Sequence, residues 1–457
     1  MIAALVWLVL PWVAVAVVLR RVPAGSISWA MAVSLGAGLG LGFASLWWWL
    51  LMQLPLQHRA ALLALDLVLW IAALVVAIRR RPSSVAAPAD RSPVSARPIE
   101  ATSLVVCVAA VALVAAWFVA SASVQTHGVW DAWAIWNGRA RFLARGWPDV
   151  WPAAFAHRPT VPHADYPLLL PLSVARAWML GGVETTAVPI MVAAIFAGGV
   201  LGVVGTSIAR VHGRVQGLVA VVCLVASATF VTQTSAQIAD VPMAFFLVAA
   251  VAAADLAIAR GAAGAVVWAV AAASACLAAW TKNEGLVFAG AFGAIAAAWL
   301  LIRRRDWRAV LWLAAGAAPV VAAIALFRLR YAPPSEYVGA MTGAQILARL
   351  HDAPRLHQIL AAIGAELWSS GTRAIGPLPI LAACVALAGL ARPISRAAVI
   401  ALAAALVMLA ADILVYDNTP YDLTWQLQTS ADRVVMQLFP LLIWIGLRLA
   451  RPVGASR

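Results

Sequence analysis

Carboxylates, cations and aromatic rings crowd into one stretch of this chain, THGVWDAWAIWNGRARFLARGWPDVWPAAFAHRPTVPHADYPLLLP, running from Thr126 to Pro171. Three His, three Asp, four Arg and five Trp share this segment, the longest polar interruption between apolar runs in the first half. Asp131 can N-cap a helix running to about Arg145, with Gly146 just beyond its end. On such a helix Trp133, Trp136, Ala140 and Leu143 share one side, and Asn137, Arg141 and Arg145 fall at i, i+4, i+8 on another, the pattern of an interfacial amphipathic helix. Read as structure alone, Asp131 caps, the arginines meet lipid headgroups and the tryptophans form an aromatic belt. Read as chemistry, a carboxylate takes a hydroxyl proton, cations stabilise a departing phosphate and tryptophan faces suit sugar rings. His127, His157, His163 and Asp165 are metal-ligand types. Their spacing matches no compact site, so no cofactor is assigned and a divalent metal stays open.

Two more segments carry charge beside apolar runs, Gln237-Ile-Ala-Asp240-Val-Pro242 and Thr281-Lys-Asn-Glu-Gly285. Asp240 stands directly before Val-Pro, where an N-cap stands. Lys282 is harder to treat as incidental, because every other basic residue, histidine aside, is arginine. A half-buried ammonium needs an anion. Glu284 is one partner in reach, and a phosphate is the functional alternative.

The elements that must position these residues are membrane spans. Hydrophobic residues make up 64% of the 457 residues and charged residues 11%, against roughly 25% charge in a soluble domain. The fold expected is an all-α polytopic membrane protein. A net charge of +14 would suggest nucleic acid in a soluble protein; here retained cytoplasmic arginine accounts for it, and no nucleic-acid partner is assigned. Cys107, Cys223, Cys276 and Cys384 all fall inside apolar runs, where they act as small hydrophobes.

With ~20 residues per span, thirteen spans can be drawn: Ile2–Leu19, Ser28–Gln53, Ala60–Ile78, Ser103–Ala120, Thr185–Ala209, Val215–Thr232, Val241–Ala259, Gly264–Trp280, Leu286–Ile302, Ala309–Phe327, Gly376–Ala391, Ala397–Tyr416 and Val434–Leu449. Strict alternation of these spans puts every arginine cluster on the cytoplasmic side and loops 121–184, 233–240, 281–285, 328–375 and 417–433 on the other. The short segment Leu168–Leu180, which carries Arg176, would invert that order if it crossed, so it is expected as an interfacial or re-entrant helix. The organisation expected is a three-span unit at 1–81, a flexible cytoplasmic linker at 82–100, a transmembrane core at 101–327 with the large loop 121–184, an extracytoplasmic loop at 328–375 and a three-span region at 376–457.

Four landmarks in order resemble a family. Asp131-Ala-Trp133 opening an amphipathic helix, His163-Ala-Asp-Tyr-Pro167, Ala239-Asp240-Val-Pro242 heading a span and Thr281-Lys282 between spans look like the GT-C class of membrane glycosyltransferases. Its bacterial aminoarabinose transferase and protein O-mannosyltransferase branches have these landmarks in the same order. The resemblance covers about Ser103 to Ile302, with Thr429-Ser-Ala-Asp-Arg433 similar to the family's arginine near the last span. It implies transfer of a sugar from a polyprenyl-phosphate carrier to an acceptor lipid, glycan or protein, at the extracytoplasmic face of a bacterial inner membrane. It further implies Asp131 and Asp240 as catalytic acids, with Lys282 and Arg433 on the carrier phosphate. His163, Asp165, Glu284 and Arg139 complete the candidate substrate contacts. Many relatives carry a second acid beside the first, where this chain has Ala132.

No nucleotide-binding loop is needed for such a donor, and neither a Walker A sequence nor a strand-linked GxGxxG is present. The loop 328–375 either covers the site or is simply a structured external loop. Two other classes stay open: a noncatalytic protein that binds or assembles lipid-linked glycans, and a transporter using the intramembrane acids Asp66, Asp255 and Asp412.

Overall fold

Long apolar runs have one economical form in lipid, because a helix satisfies its own backbone groups. The computed structural model describes residues 2–21, 27–79, 97–155, 163–335, 342–372 and 374–451. Among these no strand occurs, apart from an isolated backbone bridge between Leu390 and Ala450. The chain opens with α1 (Ile2–Arg21), α2 (Trp29–Met52), α3 (Arg59–Arg79) and α4 (Arg97–Val124). The first long loop holds α5 (Asn137–Gly146) and α6 (Leu169–Gly181), after which α7 (Ala187–His212), α8 (Arg214–Val225), α9 (Ala228–Ser235) and α10 (Asp240–Arg260) follow. Then come α11 (Val267–Thr281), α12 (Glu284–Trp299) and α13 (Trp307–Arg330), with α14 (Gly343–Leu350) and α15 (Ala353–Ser369) in the second long loop. The C-terminal helices are α16 (Pro377–Ala388), α17 (Arg396–Asp417) and α18 (Leu423–Leu449).

Ten described helices are long and apolar enough to cross a membrane, eleven if one bent pair counts as a span. The expectation of thirteen is therefore revised. Val215–Thr232 is interrupted: α8 and α9 meet at 75°, with Ser227 at the break capping α9 through Phe230 N–H at 3.1 Å. The expected spans at Gly264–Trp280 and Gly376–Ala391 are helices of only 15 and 12 residues, short of the ~20 that a bilayer core requires. Of the expected linker, residues 82–96 lie outside the described residues, and 97–100 already form the first turn of α4.

The first three helices are built into the rest of the bundle. Gly40 of α2 lies so close to α1 that a Cβ there would stand 2.7 Å from the Trp12 backbone, and one at Gly38 would enter the Phe245 ring of α10. Small residues allow this approach where apolar side chains have no water to escape from. Polar links reinforce it: Trp280 Nε1 donates to Ser45 Oγ at 3.1 Å, and Tyr331 OH donates to Gln53 Oε1 at 2.6 Å.

The segment expected at the interface, now α6, is buried along its length between α1, α2 and α5. Its Arg176 explains why it can be. The guanidinium donates to both oxygens of Asp66 on α3, at 3.0 and 2.5 Å, and to Trp7 O at 2.6 Å. A buried ion pair of this geometry satisfies both charges, so α6 is a core helix pinned to the N-terminal hairpin.

The bundle has two chemically different ends. At one, Asp255 of α10 accepts from Arg210 at 2.5 Å and Arg448 at 2.6 Å, and Arg214 pairs with Glu100 at 3.2 Å. Toward the other end of α10, about 22 Å from Asp255 by helix rise, stands Asp240.

Candidate functional site

Asp240 is the first residue of α10, yet its side chain makes no capping bond to that helix. It is fully buried and faces inward instead. Its Oδ1 accepts from Lys282 Nζ at 3.0 Å and Gln437 Nε2 at 2.5 Å; its Oδ2 accepts from Arg433 Nε at 3.0 Å. The positive end of the α10 dipole adds to this stabilisation. Three donors, two of them cationic, thus converge on the buried carboxylate, so Asp240 holds the cations in place.

Lys282 owes its position to a chain break. Its backbone is extended between α11 and α12, with its N–H on Ala278 O, and its ammonium lies between Asp240 and Glu284 Oε1, the latter at 2.9 Å. Burial opposes that charge, but the two carboxylates outweigh it and hold the pKa above that of an ordinary lysine. Arg433 reaches the same place from α18. Its Nη1 donates to Asp131 Oδ2 at 2.5 Å while its other arm stays on Asp240.

Asp131 therefore does something other than what its position suggests. It makes no capping bond to the helix it precedes. The turn over Ala132–Trp136 is a π-turn, with Asn137 N–H on Ala132 O, and the added residue rotates Trp133 outward. Trp133 is 49% exposed whereas Trp136, Ala140 and Leu143 are buried, so the expected single apolar face is broken at its first residue. Ala132, standing where relatives of the resembled family carry a second acid, is fully buried; a carboxylate at that position would need a cation of its own.

A second node sits beside the first. Asp165 is buried and accepts from Asn283 Nδ2 at 2.7 Å; Arg328 of α13 donates to Asn283 Oδ1 and lies 4.0 Å from Asp165. Tyr166 stacks between Trp136 and His163, with ring centroids 5.5 and 4.9 Å apart, and its face lies 5.9 Å from Lys282 Nζ. Arg139 makes this loop rigid: fully buried, it donates to Tyr166 O at 2.7 Å and His163 O at 2.5 Å. Burial pushes its guanidinium down to about 10. The expectation of Arg139 as a substrate contact is corrected accordingly: it is a clamp on the 163–166 backbone. His163, with a left-handed backbone at φ 52°, is the loop's corner and a ring in the stack.

Asp131, Asp240, Lys282, Arg433 and Glu284 thus join one continuous network, and Asp165 belongs to the neighbouring node. Gln437, Asn283, Arg328 and Tyr166 were not among the candidates. Gln437 had a legible signal, lying at i+4 from Arg433 on one helix face. Asn283 lies beside Lys282 in a segment already singled out, whereas Arg328 had no such signal, since its meeting with Asn283 depends on how α13 packs. Among the described residues no three His, Cys, Asp or Glu side chains are grouped to hold a metal ion. His127 lies 3.4 Å from Arg141, and His157 falls outside the described residues.

Within the loop 328–375, the described helices α14 and α15 are docked on the end of α17. Arg349 and Arg355 donate to the final carbonyls of α17, at Asp417 O (3.0 and 2.9 Å) and Tyr416 O (3.0 Å), the favoured place for cations on a helix dipole. No family model, curated protein or solved structure matches the chain.

Proposed function

We propose that the protein is an integral membrane glycosyltransferase that moves a sugar from a polyprenyl-phosphate carrier to an acceptor hydroxyl. One observation carries this reading. Residues from four distant segments, each resembling a landmark of the GT-C class, meet in a single network in which Asp131, unlike the fully buried Asp240, keeps an exposed side; Glu284, 20% exposed, lies on the far side of Lys282 from Asp240. Asp131 and Arg433 keep 22% and 21% of their side-chain surface exposed, whereas Asp240 is fully buried.

In the reaction proposed, Asp131 accepts the proton of the acceptor hydroxyl as its oxygen bonds to the anomeric carbon. The bond from that carbon to the phosphate oxygen breaks, and polyprenyl phosphate leaves with the electron pair. Arg433 and Lys282 neutralise the charge gained by the phosphate. Asp240 positions both cations. In the free protein Arg433 occupies Asp131; an incoming phosphate competes for the guanidinium and releases the base. The arginine-rich end of the bundle, read as cytoplasmic by the positive-inside rule, supports an extracytoplasmic position for this chemistry, and the family resemblance supports a bacterial inner membrane. Membrane lipid would then hold the carrier chain against the helices.

The transporter alternative loses two of its three intramembrane acids, because Asp66 is neutralised by Arg176 and Asp255 by Arg210 and Arg448; its remaining support is Asp412, buried with Oδ2 lacking a hydrogen-bond partner. Protein in liposomes with polyprenyl-phosphate sugar labelled in the sugar tests the proposal. Transfer of label to a new acceptor is expected. Donor retained without transfer would make the protein a binding or assembly factor, and unchanged donor carried across the bilayer would make it a transporter.

A further inference from the structure

The node beside the transfer network holds two guanidiniums and one carboxylate. Asp165 is buried, and among the described residues it is the only carboxylate that Arg139 or Arg328 faces. Arg139 is enclosed and donates to the loop carbonyls of Tyr166 and His163. Arg328 is different. Its side chain keeps 27% of its surface exposed, and among the described residues its guanidinium makes a single hydrogen bond, from Nη2 to Asn283 Oδ1. One carboxylate shared by two guanidiniums leaves a positive charge to be met from outside, and the exposed arm of Arg328 is where it can be met.

The position of that charge is fixed by its neighbours. In the last turn of α13, an arginine could turn to the terminal carbonyls of its own helix, but Arg328 reaches Asn283, which follows Lys282 in the α11–α12 break. Asn283 is itself held by Asp165, to which its Nδ2 donates at 2.7 Å. The helix end is packed as well: the Tyr331 ring lies against Trp49 and Trp151, with centroids 5.2 and 5.0 Å apart. The path from Arg328 through Asn283 to Lys282 leads directly into the network of Asp240 and Arg433.

We propose that Arg328 binds the phosphate of the polyprenyl-phosphate donor, as a second guanidinium contact in addition to Arg433; this rests on the glycosyltransferase reading. Lys282 has only 6% of its side chain exposed and lies between Asp240 and Glu284. Of these three cations, Arg433 and Arg328 are therefore the two open to an incoming oxyanion. A guanidinium with donors to spare can pair two phosphate oxygens at once.

The test titrates polyprenyl phosphate into the full-length protein in an uncharged maltoside detergent, with uncharged polyprenol and inorganic phosphate as comparisons. Labelling of Arg328 by phenylglyoxal is followed in the same samples by peptide mass spectrometry. Polyprenyl phosphate should bind more tightly than polyprenol and should protect Arg328 from the label. Arg328→Gln should weaken binding of polyprenyl phosphate about 10-fold or more, the loss of one charged hydrogen-bonded contact, with polyprenol binding unchanged; Arg328→Lys should lose less. Unchanged affinity in a folded Arg328→Gln protein, or an equal loss for the phosphate and the alcohol, overturns the assignment and leaves the transfer reading standing. Failure of polyprenyl phosphate to protect Arg328 in the native protein overturns it whether or not the variants fold. Equal protection by inorganic phosphate at the same concentration makes Arg328 a general anion site and overturns it too. A native protein that binds polyprenyl phosphate no better than polyprenol overturns both readings.

Discussion

Replacing Asp131 by Asn separates the chemical role of this carboxylate from its structural one. Asn keeps a side-chain oxygen that can accept from Arg433 Nη1, and Arg433 remains anchored by Asp240 at 3.0 Å. No helix cap is lost, because Asp131 makes none. What disappears is one charge-assisted bond in a partly exposed pair, replaced by a neutral one, which costs about 1 kcal/mol of stability. Loss of a general base costs much more in the transition state: roughly 10²–10⁴ in turnover, or about 3–5 kcal/mol at 1.36 kcal/mol per decade. Initial rates with labelled donor at saturating concentration, measured beside thermal unfolding of the same preparation, resolve the two quantities. The expected result is a folded protein with a small fall in Tm and turnover reduced by that factor. A folded Asp131→Asn protein with near-native turnover would refute the assignment.

Other perturbations test the network around it. Arg433→Lys keeps the charge but cannot hold Asp131 and Asp240 together as a planar fork does; turnover should fall about 10-fold or more, and an unchanged rate would show that bridging is irrelevant. Lys282→Ala should weaken donor binding more than Lys282→Arg and should also lower Tm, since it leaves the buried Asp240 and Glu284 undercompensated; equal donor affinity in all three proteins would leave Lys282 a structural partner only. The raised pKa of Lys282 gives a sign for pH. A raised folded pKa contributes its full stability below the unfolded value, about 10.4, and loses it only as pH climbs through the higher folded one. This group should therefore add no slope to Tm between about pH 6 and 9, which a pH series of unfolding curves comparing native protein with Lys282→Met can check. Asp66→Ala should destabilise strongly, by about 3–5 kcal/mol, by stranding buried Arg176, while Asp66→Leu with Arg176→Met should recover most of the loss; a double variant as unstable as the single one would show that the pair does more than neutralise itself.

The sequence by itself determined the solvent of this protein, the approximate place of most helices and the segments from which a site would be assembled. Those features are local. Twenty apolar residues in lipid leave the backbone little choice but helix, and a lone lysine in an arginine-only chain stands out without any partner in view. The arginine pattern also anticipated that Asp131, Asp240, Lys282 and Arg433 share one end of the bundle, because helices that alternate in direction carry their ends with them. The span count was less legible. Hydropathy responds to composition over a window and is blind to the 75° bend at Ser227 or to how much of α11 is covered by neighbours.

Tertiary structure alone decided what each polar side chain does. Position at a helix start made Asp131 and Asp240 look like caps, yet both turn away to cations contributed by α18 and the α11–α12 break, because a buried ion pair recovers more than a cap does in a medium of low dielectric. Arg139 and Arg176 follow the same rule from the opposite side. Arg139 was expected as a substrate contact and Arg176 on an interfacial or re-entrant helix, yet each is buried, one against carbonyls of its own loop and the other against Asp66, more than a hundred residues earlier in the chain. Charge is visible in a sequence; which opposite charge meets it depends on helix packing that no spacing records.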